Sequence, residues 1–222
     1  RSRGLGDVYK RQLPRAVYYW AIEFGHIHPG WTLQDYLVNA VNPENPGGYE
    51  TVLIHGVQGS GKSSFALQIG GWIYGKDGEP DWNLVLKNIV FKPQDFVNRL
   101  KRIPEGKWIP LLIWDDIGVH YPSTTFRTDI QQYQAIDAVW TAIRTKCKII
   151  VCTIPMIDRL ARNIRDNVSF EVYIGRNFRY IVERHFYLPG ITKKETNFFK
   201  APIEGLKEPA LSLIHISEPT RP

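Results

Sequence analysis

The stretch GVQGSGKS, Gly56 to Ser63, leaves few folds open to this chain. It follows a β-branched apolar run, TVLIHG (51–56), which reads as a strand. It precedes KSSFALQIGGWIYG (62–75), whose spacing is helical and which ends on glycine. Glycines at 56, 59 and 61 let the backbone curl so that successive N–H groups point inward at phosphate oxygens. The positive end of a helix starting near Lys62 adds to the same field. The order strand, loop, helix is the context that G-x-x-x-x-G-K-[ST] requires. The expectation is a phosphate cradle made by Gly56, Val57, Gln58, Gly59, Ser60, Gly61, Lys62, Ser63 and Ser64. In it Lys62 reaches the β- and γ-phosphates of ATP, and Ser63 supplies an oxygen to Mg2+.

A second stretch, LLIWDDIG (111–118), runs four apolar residues straight into two carboxylates, Asp115 and Asp116. Acids at the end of a buried strand are costly unless something positive meets them. Downstream of a phosphate loop, that partner is Mg2+ with its nucleotide. Asp115 is the expected ligand of the ion, directly or through water, and Asp116 the group that orients the attacking water. Asp116 stands where many ATPases carry Glu, one methylene longer.

Strands and helices alternate along the rest of the chain. NIVFKP (88–93) reads as a strand and PQDFVNRLKRI (93–103) as a helix with proline near its start. IPLLIWDD (109–116) is the next strand. DIQQYQAIDAVWTAIRTK (129–146) carries Ile136, Val139, Trp140 and Ile143 on one helical stripe, and CKIIVCTIP (147–155) is an apolar strand. VSFEVYIG and FRYIVERHFYL flank Arg176-Asn177 as a β-hairpin. Ahead of the loop, TLQDYLVNAV (32–41) reads as a short amphipathic helix with Thr32 as N-cap and Asp35 three residues on. Residues 189–210 show no clear periodicity. The pattern predicts an α/β fold, a three-layer sandwich around a mainly parallel sheet, with an extra strand between the two motifs and a terminal hairpin.

On these residues the chain resembles P-loop ATPases of the AAA+/RecA-like branch. LLIWDDIGV is similar to the second acidic motif of bacterial replication-initiator and helicase-loader ATPases. IDRL (157–160), a strand and GRNFR (175–179) resemble the D-R-L, strand, G-x-S-Y-R pattern of loaders and transposon helpers. The whole also resembles ATPases encoded by archaeal viruses and plasmids, over roughly 50–180. The resemblance implies that Thr153, at the end of IIVCT, senses the γ-phosphate. It implies that Arg159 is an arginine finger reaching a neighbouring subunit, with Arg162 and Arg165 competing for that role. It implies a homo-oligomer that works with DNA or a DNA-bound protein. A packaging or assembly motor and an ATP-gated switch with slow hydrolysis remain alternatives. His55 reads as a packed core histidine, and His120 and Tyr121 as exposed loop residues that could also line the site.

Composition narrows the rest. No apolar run approaches the ~20 residues of a membrane helix. Cys147 and Cys152 match no common zinc pattern and read as buried thiols, which fits a reducing, cytoplasmic compartment. SRGLGDVYKRQ (2–12) and LSLIHISEPTR (211–221) can be encoded by opposite strands of one piece of DNA that resembles a sequencing adapter. Residues 1–12 and 211–222 are therefore read as adapter-derived flanks. The expected organisation is an N-terminal helical segment (13–48), an ATPase domain (49–190) and a tail (191–210). The flanks hold five basic and two acidic residues, so the formal charge of +6 falls to +3, with 23 basic against 20 acidic residues in the remainder. That excess is a weak pointer to nucleic acid. Removal of both flanks is expected to leave the thermal midpoint unchanged in a melting experiment; a drop of several degrees would mean that a flank packs on the core.

Overall fold

The computed structural model describes residues 31–44, 49–122, 124–125, 129–176, 179–186 and 195–202. In chain order its elements are α1 (Leu33–Ala40), β1 (Glu50–Gly56), α2 (Lys62–Tyr74), α3 (Trp82–Lys87) and β2 (Ile89–Val90). There follow α4 (Pro93–Lys101), β3 (Ile109–Trp114), α5 (Ile117–His120), α6 (Ile130–Ala142) and β4 (Cys147–Ile154). A 3-10 turn at Ile157–Arg159 and the short α7 (Arg162–Arg165) lead to β5 (Phe170–Ile174), β6 (Arg179–Phe186) and β7 (Glu195–Pro202).

The strands form one sheet in the order β2-β3-β4-β1-β5-β6-β7. Pairs from β2 through β5 are parallel, and β5–β6 and β6–β7 are antiparallel. This is the expected α/β fold, and β2 and β3 lie on the same side of β1, beyond β4. β1 therefore sits between β4 and β5, with partners on both edges.

Alternate residues of the central strands feed two cores. On one face Leu53, Leu112, Trp114, Ile150 and Cys152 meet Phe96, Val97 and Leu100 of α4 and Ile136 and Trp140 of α6. On the other, Val52, Ile54, Leu111, Ile113 and Val151 meet Leu33 and Leu37 of α1 and Phe65 and Ile69 of α2. Every residue of β4 is buried, as a parallel strand covered on both faces requires. Cys147 and Cys152 are free and buried, and burial pushes the Cys147 thiol up to about 12.

Local sequence explains the element ends. Thr32 caps α1: its hydroxyl accepts from Asp35 N–H at 3.3 Å, and the Asp35 carboxylate accepts from Thr32 N–H at 2.6 Å. Asp81 and Asp129 cap α3 and α6 in the same way, each accepting from the N–H three residues on.

The structure departs from the sequence reading in several places. The strand expected over 88–93 is reduced to Ile89–Val90, because Pro93 already opens α4 and its ring cannot donate to a ladder. The expected long helix of 129–146 ends at Ala142 in a 3-10 turn. The sheet does not stop at the hairpin: β7, within the stretch that showed no periodicity, adds a further antiparallel strand. Tyr121, read as an exposed loop residue, is fully buried and lies against Trp114 and Tyr133. The aromatic run YYW (18–20), the stretch HIHPG (26–30) and the two flanks lie outside the described residues.

Phe96 stacks on Trp114 with ring centroids 4.3 Å apart, and both are fully buried. Phe96→Ala is expected to lower the unfolding free energy by about 3–5 kcal/mol, read from urea denaturation, because the cavity lies between two rigid layers.

Candidate functional site

Residues 56–64, expected from the sequence to cradle phosphate, sit at the C-terminal end of β1, where an open α/β sheet presents its ligand crevice. Two glycines are there for different physical reasons. At Gly56 a Cβ would fall 2.2 Å from the Ile174 carbonyl oxygen, so only a bare backbone lets β1 run this close to β5. At Gly61, φ is +88°, in the left-handed region, and the residue turns the loop directly into α2. The Lys62 ammonium folds back over the loop, donating to the carbonyls of Gly56 at 3.1 Å and Val57 at 2.9 Å. Its pKa is lowered by burial, against the opposing pull of the carboxylates of Asp116 and Asp115. The Ser60 hydroxyl is buried without a hydrogen-bond partner among the described residues. A polar atom in that condition inside a glycine loop matches a site built for an oxygen-rich ligand.

Asp115 lies one residue beyond β3 and is 6% exposed. Two hydroxyls meet it. Ser63 Oγ donates to its carboxylate oxygens at 2.9 and 3.1 Å, and Thr153 Oγ1 donates to Oδ1 at 2.5 Å. The same Thr153 oxygen accepts from the Asp116 N–H at 2.7 Å. One chain of hydrogen bonds therefore ties the start of α2, the end of β3 and the end of β4. A hydroxyl and a carboxylate in direct contact are hard oxygen donors, the set that Mg2+ takes.

Asp116 is exposed, with φ at +52°, so its side chain leaves the strand in a different direction from that of Asp115. Burial of its carboxyl, then the charge of Asp115, raises its pKa, while Lys62 and His120 oppose the shift. Gly118 follows on α5, where a Cβ would meet the Ile154 side chain at 2.7 Å. The acid pair is thus held against β4 by a glycine that the sequence reading did not single out.

Lys62, Ser63, Asp115, Asp116 and Thr153 are all brought together. Arg159 is not part of this cluster: it is exposed, in the 3-10 turn after β4. Arg162 pairs with Asp166 at 3.1 Å on the surface. His55 is not a core residue. It is half-buried and lies 2.9 Å from Glu171 on β5. Sequence reasoning passed over Glu171, Glu183 and His185, although their period-2 spacing in the hairpin placed them on one face. A hollow of about 600 Å³ lies beside α2, lined by Leu67, Trp72, Pro80 and Trp82, and it reaches the loop only at Ser64.

No family model matches the chain. It is similar to proteins of two archaeal viruses. An uncharacterised protein of Sulfolobus spindle-shape virus 1 is 28% identical over 145 residues, covering 63% of this chain and 56% of the relative. One of Acidianus two-tailed virus is 28% identical over 145 residues, covering 64% and 49%. The chain thus spans about half the length of the curated relatives it matches. Among solved structures it is similar to the N-terminal domain of zonular occludens toxin from Neisseria meningitidis, at 16% identity and a TM-score of 0.45, covering 72% of this chain and 96% of that one. The DnaC helicase loader matches at 21% identity and a TM-score of 0.37, covering 71% and 98%. The replication initiator DnaA, solved with AMPPCP and single-stranded DNA, matches at 17% and 0.36, covering 74% and 51%. No described helix is long and apolar enough to cross a membrane.

Thr153→Val keeps the shape of the side chain but removes both bonds of its hydroxyl. It strips a donor from buried Asp115 and an acceptor from the Asp116 N–H. The expected cost is about 1–3 kcal/mol in urea unfolding, with Thr153→Ser largely restoring it.

Proposed function

We propose that the chain binds ATP with Mg2+ in the loop 56–64 and hydrolyses it. The observation that carries this reading is the hydrogen-bond chain from Ser63 through Asp115 and Thr153 to Asp116, set against a glycine loop at the end of a central parallel strand. Mg2+, when bound, supplies charge that offsets the phosphates and polarises the transferred group. Ser63 and Asp115 are the residues that would hold it.

The chain's own residues divide the remaining work. Backbone N–H groups of 57–63 hold phosphate oxygens, and Lys62 exchanges its contacts with the Gly56 and Val57 carbonyls for the terminal phosphates. Asp116 takes the proton of the attacking water. A raised pKa suits that task, because a base accepts a proton best when its own pKa approaches the working pH. Thr153 fixes the backbone of Asp116 and reports on the γ-phosphate side of the site. Arg159 is assigned the role of reaching a second copy of the chain, and its exposure on the turn after β4 is compatible with that role.

The biological reading is a DNA-linked accessory ATPase of a virus or mobile element, of initiator or loader type, acting as a homo-oligomer on DNA or a DNA-bound protein inside the host cell. It is supported by the motif resemblance and by the viral relatives. The short side chain of Asp116 favours one second reading, an ATP-gated switch that turns over slowly.

Turnover and binding assays on purified protein separate these readings. Lys62→Ala is expected to weaken ATP binding and abolish turnover. Asp115→Asn should weaken the Mg2+-dependent part of binding. Asp116→Asn should keep binding and lose about 10²–10⁴-fold in rate. Equal turnover in Asp116→Asn and parent would remove the role assigned to that residue. A parent without turnover, with or without DNA, and an active Asp116→Glu would establish the switch.

A further inference from the structure

The hairpin carries a second cluster of ligating groups, on the sheet face that holds Leu53 and His55. Glu171 on β5 stands directly opposite Glu183 on β6, and His185 lies two residues further along β6 on the same face. Like charges directly opposite one another weaken a strand pair, so a pair of facing glutamates calls for a positive partner. His185 Nε2 lies 3.4 Å from Glu171 Oε2 and 3.9 Å from Glu183 Oε2. The His185 side chain is 12% exposed, and neither of its ring nitrogens makes a hydrogen bond among the described residues. The three ligating atoms lie within 4.8 Å of one another.

These separations are close to those a small divalent ion imposes. Bonds of about 2.0–2.2 Å from a tetrahedral ion set neighbouring donor atoms about 3.2–3.6 Å apart. The two histidine–carboxylate distances need at most a few tenths of an ångström of closure, and the two carboxylates, within 4.8 Å of each other, up to about an ångström. The other oxygen of Glu171, Oε1, faces His55 Nε2 at 2.9 Å. An imidazole on the outer oxygen of a ligating carboxylate orients it, as outer-sphere partners of metal sites do. A cavity of about 250 Å³, lined by His55, Glu171, Tyr173, Ile181 and Glu183, leaves room for a water as a fourth ligand.

We propose that Glu171, Glu183 and His185 form a site for a zinc-class divalent cation, with His55 as the outer partner that positions Glu171. Nitrogen and carboxylate donors in an open three-ligand set select Zn2+ or Co2+ over Mg2+, which demands six oxygens. The site is separate from Ser63 and Asp115, and it stands or falls without the ATPase reading.

Co2+ titration of the full, tag-free chain after chelator treatment and dialysis tests it. The expected result is an intense visible absorption from four- or five-coordinate cobalt, saturating near one ion per chain and abolished by added Zn2+. His185→Ala and Glu183→Gln should lose the band, and Asp115→Asn should keep it. His55→Ala should weaken binding by about 10–100-fold. Far-UV circular dichroism confirms that each variant is folded; Glu183→Gln, nearly isosteric at a half-buried side chain, is the variant to rely on if His185→Ala fails to fold. Absence of the band in the parent overturns the proposal. So does a band that survives in Glu183→Gln, or one that disappears in Asp115→Asn.

Discussion

A carboxylate buried at the end of an apolar strand is tolerable only if donors meet it, and in this chain two hydroxyls do. Ser63 comes from the first turn of α2 and Thr153 from the end of β4, and both converge on Asp115 beyond β3. The strand order makes this possible. β4 lies between β3 and β1, so the ends of all three strands and the loop after β1 open at the same edge of the sheet. A shift of β3 by one residue would turn Asp115 to the opposite face and leave both hydroxyls unpaired. Register, helix start and acid position are therefore one constraint seen from three sides.

That constraint acts through backbone as much as through side chains. Gly56 removes the Cβ that would strike β5, so the loop begins flush against a neighbouring strand. Asp116 adopts a left-handed φ and donates its N–H to the Thr153 hydroxyl oxygen. Strain of this kind at a non-glycine residue persists where surrounding bonds over-determine it, and it gathers at functional sites. The short connection after β4, a 3-10 turn and one helical turn, leaves Arg159 on the surface instead of covering the site.

Much of this was legible in the sequence because the signals are local. The loop, its strand and its helix follow one another without a gap, and the apolar runs of β1, β3 and β4 are long enough to read as buried strands. What escaped was set by distant partners. β2 was legible as a strand but not in its length: its two residues are set by the ladder with β3 and by Pro93, which opens α4. β7 follows a connection that contains Pro189-Gly190, but its own residues show no clear periodicity and it is defined by its pairing with β6. Tyr121 follows two acids and a glycine, which reads as loop, yet it is buried against Trp114 and Tyr133, aromatics from two other elements. His55 looked like a core residue because it sits in an apolar run. Its partner, Glu171, lies on a strand more than a hundred residues away.

The central place of β1 has a consequence for how the molecule breathes. A strand paired on both edges and covered on both faces opens only when the sheet itself comes apart, whereas two-residue β2 and outermost β7 can detach alone. Amide hydrogens of Val52 to Ile54 would thus exchange with solvent as slowly as global unfolding permits. Those of Ile89, Val90 and 195–202 would exchange through small local openings. The loop that follows β1 is rooted in the most slowly exchanging part of the chain, so its curvature is maintained while the rim of the sheet fluctuates.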